Sequence, residues 1–296
     1  MNGFPKVADY ALLTLLAVIL ASSFVFTSIA VRDIPPLLVV AGRLSIALVL
    51  FFLLMSAAGS RWPRGRVWIY IAGSAFFGNA LPFSLINWAQ TSVEASVTSI
   101  YMAVMPLATV VLAHLTTSDE KLSTGKFAGV LLGLAGVVVL MGFDSLRNLG
   151  GNTIKELAVI LAALCYAVNA LITRKLTDVD ARSLLTALML LSLLMVLPLA
   201  LLSASRTALP DSYVSSGYFA VLALGVGSTA IASYLLLLII SRQGASFLSQ
   251  INFLVPLAGT AFGIIFLQEH LPADAWLALL LILGGIMLAR VSSSSA

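Results

Sequence analysis

The stretch EASVTSIYMAVMPLATVVLAHLTTSDEKL, residues 94–122, returns as GASFLSQINFLVPLAGTAFGIIFLQEHL at residues 244–271. Both begin with Ala-Ser after one residue, at Ala95-Ser96 and Ala245-Ser246. Both centre on a Pro-Leu pair, at Pro106-Leu107 and Pro256-Leu257, and both close on a glutamate two residues before a leucine, Glu120 and Glu269. An apolar glycine-bearing run follows each, Ala135-Gly136-Val137-Val138 and Gly284-Gly285-Ile286-Met287. Pro106 and Pro256 are 150 residues apart and Glu120 and Glu269 are 149 apart, so one residue is lost between them. The likeness covers residues 95–143 and 245–291 and predicts a chain made of two like halves.

The composition says where such a chain lives. It is 60% hydrophobic and 9% charged, with a mean hydropathy of +1.08. A soluble domain carries about a quarter charged residues. Ten apolar segments follow one another at about 8–30, 35–58, 66–90, 95–116, 124–143, 154–176, 181–203, 214–241, 246–267 and 273–291. Each is near the ~20 residues a helix needs to cross a bilayer. They lack the strict alternation of membrane barrel strands. The first, from about Tyr10 to Ala30, exceeds the ~7–15 residues of a signal-peptide core and reads as a retained helix.

Orientation comes from the basic residues. With the N-terminus cytoplasmic, eleven lysines and arginines face inward (Lys6, Arg61, Arg64, Arg66, Lys121, Lys126, Arg174, Lys175, Arg182, Arg242, Arg290). Four face outward: Arg32, Arg147, Lys155 and Arg206. That bias follows the positive-inside rule and sets both termini in the cytoplasm. Five spans separate the two copies, so equivalent helices run in opposite directions. The expected fold is an all-α membrane protein with ten transmembrane helices in two inverted five-helix repeats. The first repeat takes residues 1–146 (helices 1–5), the second 147–291 (helices 6–10), and a disordered tail 292–296.

Several function classes are excluded. The single cysteine, Cys165, allows neither an internal disulfide nor a cysteine-based metal site. His114 and His270 are too few and too scattered to hold a metal, so no cofactor is expected. The net charge of +4 reports orientation, and no nucleic-acid partner is expected.

The twelve carboxylates, from Asp9 to Asp274, all fall at span ends or in connections. Ion-coupled carriers commonly hold an ionisable group inside the membrane. Their absence there favours facilitated or exchange transport, with ion coupling through backbone carbonyls as the alternative. Arg43 is the one charge well inside a span and needs a partner. It reads either as an anchor for a substrate carboxylate or as a side chain that snorkels or pairs with helix-end carbonyls.

Polar and aromatic residues gather in the middle of the spans. Asn79, Phe83, Thr98, Tyr101, Tyr166, Asn169, Tyr234 and Gln250 are the candidate cavity lining, with glue between helices as the other reading. Pro106 and Pro256 are the candidate hinges, since each removes a helical hydrogen bond. Gly125, Gly129, Gly133 and Gly136 form a stripe for close helix packing, within the chain or between two copies. A monomer is expected and a dimer is the alternative.

The Pro of helix 4, the Glu that closes it and the glycine-rich helix 5, repeated in helices 9 and 10, resemble the EamA-type branch of the drug/metabolite transporter superfamily. Arg43 matches an arginine common in its second helix. Within that branch the chain resembles the YddG-type exporters of aromatic and other neutral amino acids. The Trp-Gly-x-Asn-like opening of each family unit is replaced here by Ala21-Ser22-Ser23-Phe24 and Tyr166-Ala167-Val168-Asn169. The resemblance implies a central cavity walled by helices 1, 3, 4, 6, 8 and 9, with helices 2 and 7 moving beside it and 5 and 10 bracing the outside. It also implies a multi-pass protein of the bacterial inner membrane that exports small amphipathic solutes by alternating access. The alternatives are an exporter of quaternary amines, a channel or an intramembrane enzyme. The last is disfavoured because Asp-rich metal motifs and a Ser/His pairing are missing, and a channel because no filter sequence occurs.

Overall fold

The structure is a computed structural model that describes residues 6–116, 123–142, 152–205 and 216–291. Ten apolar helices account for nearly all of them, and no strand occurs among the described residues. They are α1 (Val7–Asp33), α2 (Pro36–Ala57), α3 (Val67–Ala89), α4 (Ala95–Thr116) and α5 (Thr124–Met141). The second five are α6 (Thr153–Thr173), α7 (Ala181–Ala204), α8 (Ser216–Gln243), α9 (Ile251–Leu267) and α10 (Ala273–Val291).

Local chemistry sets their ends. Pro36 opens α2, where its missing N–H costs nothing. The Asp180 carboxylate accepts the Ser183 N–H at 3.1 Å and starts α7. Ser123 does the same for α5 through the Lys126 N–H at 3.3 Å. Gly244, at φ 84°, ends α8 and turns the chain directly into a one-turn helix, Ala245–Leu248, ahead of α9. α9 alone has 17 residues, but from Ala245 the segment reaches roughly 34 Å, enough to span a bilayer.

Exchanging each helix for the one five places later preserves the main contacts of the bundle. α5 lies on α10 and α2 on α7. α1 on α9 is matched by α6 on α4, α1 on α8 by α6 on α3, and α2 on α8 by α7 on α3. Since five crossings separate partners, matched helices run oppositely, and the bundle is an inverted repeat. Its outer faces stay apolar: Leu53, Ile69, Leu199, Leu202 and Leu280 are each more than half exposed, as a lipid-facing surface requires.

The α5–α10 seam depends on absent side chains. A Cβ on Gly129 would lie 2.5 Å from the Gly285 carbonyl oxygen, and one on Gly285 would lie 2.5 Å from that of Gly129. A Cβ on Gly136 would meet Ile282 and the Ala278 carbonyl at 2.8 and 2.9 Å. In lipid, where apolar burial gives little, such backbone approach holds helices together.

α4 and the segment leading into α9 are each interrupted, but not at equivalent places. α4 is cut at Ala103–Val104 and resumes at Met105, so Pro106 sits in the first turn of a new helical piece. There its missing N–H falls where donors are unpaired anyway. α9 is instead cut at Ser249–Gln250 and runs straight through buried Pro256. The two prolines match in sequence but not in backbone setting.

Candidate functional site

α3 and α8 each open into a π-helical turn near their middle, at Phe76–Ala80 and Leu224–Ile231. Pro82 supplies one cause: without an N–H it cannot bond the carbonyl four residues back, and the wider turn absorbs the defect. α8 has no proline there. Its Thr229 hydroxyl donates instead to the carbonyl five residues back, Leu224, at 2.9 Å. Such turns concentrate at functional sites.

Each π-helical turn is tied by a side-chain hydrogen bond to the helix beside it. Asn79 Nδ2 donates to Ser192 Oγ on α7 at 3.2 Å, and that hydroxyl is itself satisfied by the Leu188 carbonyl at 2.6 Å. Arg43 Nε on α2 donates to Thr229 Oγ1 at 3.0 Å. The two contacts are counterparts under exchange of the halves. Thr229 follows Asn79 by 150 residues and Ser192 follows Arg43 by 149, the spacings of the proline and glutamate pairs. Asn79 is the thirteenth of 23 residues in α3 and Thr229 the fourteenth of 28 in α8, so both contacts lie in mid-span.

Aromatic rings and an amide complete the cluster. The Arg43 guanidinium carbon lies 3.9 Å from the Phe83 ring centroid, a close cation–π contact. Tyr166 on α6 is within electrostatic reach of Arg43. Asn169, one turn further on α6, accepts the Ser74 hydroxyl at 2.6 Å, and Gly78 gives its amide room, since a Cβ there would lie 2.6 Å from Nδ2. Arg43 is 5% exposed, and among the described residues no carboxylate pairs with it.

Arg43, Asn79, Phe83, Tyr166 and Asn169 thus come together. The other four sequence candidates do not join them through any described contact. Thr98 is turned back onto the Glu94 carbonyl at 2.8 Å. Tyr101 is fully buried beside Glu156, in the first turn of α6. Tyr234 is 49% exposed, and Gln250 sits in the cut ahead of α9. Ser192 and Ser74 belong to the cluster and were absent from the sequence reading. The spacing of 149 that links Glu120 to Glu269 also links Arg43 to Ser192 and would have found it.

The two halves also meet at the entrance of α4. Glu269, just past α9, accepts the Ala95 N–H at 2.8 Å and the Ser96 N–H at 2.9 Å, one on each carboxylate oxygen. These are orphan donors of a helix N-terminus, and a carboxylate there is favoured by the helix dipole. Gly263 leaves the space, since a side chain there would press on Glu269 and on Ser96. Burial, and then the Glu269 charge beside it, raises the neighbouring Glu94 carboxyl above its ordinary 4.5, against an opposing effect of His270. At the start of α7, burial would raise Asp180, but hydrogen bonds from Ser183 and Ser60 and the charge of Arg182 hold it below its usual value. Glu120 lies outside the described residues.

Among described acids, Asp9, Asp33, Glu94, Glu156, Asp178, Asp180, Glu269 and Asp274 all stand at helix ends or between helices. No group of three or more His, Cys, Asp or Glu is placed to hold a metal among the described residues.

A ten-helix bundle with a polar cluster at paired helix defects is the architecture of a membrane carrier. Comparison with known proteins assigns it. The EamA-like transporter family matches residues 9–142 and again 153–291, and the chain belongs to that family. It is a multi-pass membrane protein of a transporter family. It is 23% identical over 269 residues to the "Uncharacterized transporter YoaV" of Bacillus subtilis, covering 90% of this chain and 91% of that one. It is 27% identical over 281 residues to the "Uncharacterized inner membrane transporter YedA" of Escherichia coli K12, covering 92% and 87%. One solved crystal structure shares the fold with a TM-score of 0.67 at 21% identity, over 97% of this chain and 100% of that one.

Proposed function

We propose that this chain is a secondary transporter of the bacterial inner membrane that exports small amphipathic solutes, foremost aromatic and other neutral amino acids. The observation that carries the reading is the mid-span cluster of Arg43, Asn79, Phe83, Tyr166 and Asn169, drawn from both halves at the paired π-helical turns. Aromatic faces suit an apolar side chain, and amides with a cation suit a polar backbone end. A central arginine speaks against lipophilic cations as substrates, since like charges repel. The two halves, bounded at about residue 146, rock about this cluster and open it to either side in turn. Pro106 and Pro256 mark the helices that bend. The lysine and arginine bias sets both termini in the cytoplasm. The name of the Escherichia coli relative supports the inner membrane. The stripe Gly125, Gly129, Gly133, Gly136 meets α10 of the same chain at its last three members, which supports a working monomer.

With every described acid at a helix end, transport runs down the substrate gradient or by exchange. The test is flux of labelled L-phenylalanine in proteoliposomes. The reading expects uptake that follows the amino-acid gradient, is inhibited by other aromatic amino acids and survives an uncoupler. Abolition of flux by the uncoupler overturns the uncoupled mechanism. Competition by quaternary amines alone overturns the substrate class.

A further inference from the structure

Arg43 has more hydrogen-bonding capacity than the fold uses. Nε is satisfied by Thr229, and the face of the guanidinium lies on Phe83. That leaves four N–H donors on the two Nη atoms without a hydrogen-bonded partner among the described residues. Among the described residues, the enclosed side-chain atoms without a hydrogen-bond partner are Asn87 Oδ1, Gln90 Oε1, Ser96 Oγ, Tyr101 Oη and Glu156 Oε2. The Nη atoms are not among them, so they keep a little accessible surface although the residue as a whole is 5% exposed.

The other half supplies an internal control. At the equivalent place Ser192 meets Asn79, a neutral pair that fastens α7 to the π-helical turn of α3. Fastening α2 to α8 therefore needs no charge. A cation at mid-span costs at least ~2.5–3.5 kcal/mol on insertion scales, and the structural duty shared by the two halves does not offset it. What an arginine adds over a serine is a planar fork of donors matched to a carboxylate.

Resting on the reading of this cluster as the substrate site, we propose that Arg43 is its carboxylate anchor. The guanidinium Nη groups take a substrate carboxylate, Thr229 holds the side chain through Nε, and Phe83 fixes the plane of the fork. The site selects solutes by the carboxylate first and by the apolar group second. Amides and amines of the same shape are rejected.

The test uses the purified full-length protein and four probes of one shape: L-phenylalanine, 3-phenylpropionate, L-phenylalaninamide and phenethylamine. On wild-type protein, thermal stabilisation by the first two and by neither of the last two is expected. Arg43→Gln should weaken L-phenylalanine by about 30-fold or more, as loss of one partner of a buried charge pair does. Thr229→Val keeps the fork and should weaken it far less. Stabilisation by 3-phenylpropionate without L-phenylalanine would sustain the anchor while overturning the amino-acid reading. Stabilisation by phenylalaninamide equal to that by L-phenylalanine overturns the anchor, and this arm needs no variant to fold. So does an Arg43→Gln protein that binds L-phenylalanine within about twofold of wild type.

Discussion

α4 and α9 carry matching sequence, yet they break at different places. α4 is cut at Ala103–Val104, whose counterparts in α9, Phe253–Leu254, are helical. α9 is cut at Ser249–Gln250, whose counterparts in α4, Ser99–Ile100, are helical. The cut has moved by four residues, about one helical turn or ~6 Å. The α5–α10 seam, the α2–α7 pair and the two π-helical turns obey the exchange of halves, whereas α4 packs on α1 and α10 without a match of that extent between α9 and α6 or α5. The asymmetry therefore lies in backbone conformation and in the packing around these helices, not in the sequence pattern.

The largest effects should come from breaking the symmetric frame. Gly129→Ala and Gly285→Ala each drive a methyl into the backbone of the facing helix, where nothing can give. Each should cost about 1–3 kcal/mol, read as a lower unfolding temperature in detergent. Gly284→Ala, whose Cβ would lie an ordinary 3.5 Å from Leu132, should stay within about 0.5 kcal/mol of wild type. Equal losses at 129 and 285, with none at 284, would sharpen the two-fold reading of the seam.

The two prolines should respond unequally. Pro256 is buried inside a continuous helix, so Pro256→Ala restores a backbone bond and stiffens α9. Turnover should fall about fivefold, the factor for about 1 kcal/mol of barrier, with KM little changed. Pro106→Ala alters a first-turn position and should change turnover by less than about twofold. Equal responses would break the comparison. The smallest effect is electrostatic. The Glu94 carboxyl is raised in the folded protein, so its favourable contribution is present below the ordinary value and lost as pH rises through the raised one. Glu94→Gln should therefore raise the unfolding temperature relative to wild type at about pH 8 and not at about pH 4.

The ten spans, the repeat and its inverted sense were legible because hydropathy and spacing are one-dimensional signals. The helix cuts were not, because a proline marks a missing donor without saying where the ladder parts. Pro106 and Pro256 look alike in sequence and sit in unlike backbone. The site was half legible. Arg43 stood out as the lone intramembrane charge, but its partner Thr229 lies 186 residues away. Tyr234 and Gln250 look like Tyr166 and Asn169 in sequence, and only the bundle decides that Tyr166 lies near Arg43 and Asn169 beside the π-helical turn of α3. The π-helical turn of α8 has no proline to announce it, only Gly225, Gly227 and Thr229.

The inverted arrangement itself is open to direct measurement. Cys165 is buried and can be removed as Cys165→Ser. In that background, Thr116→Cys at the end of α4 and Gln268→Cys at the end of α9 are each labelled in intact cells with a membrane-impermeant maleimide. Reaction at 268 from outside, with 116 protected until the membrane is opened, is the expected result. Labelling of both positions from the same side would contradict the inverted repeat and, with it, the carrier built on it.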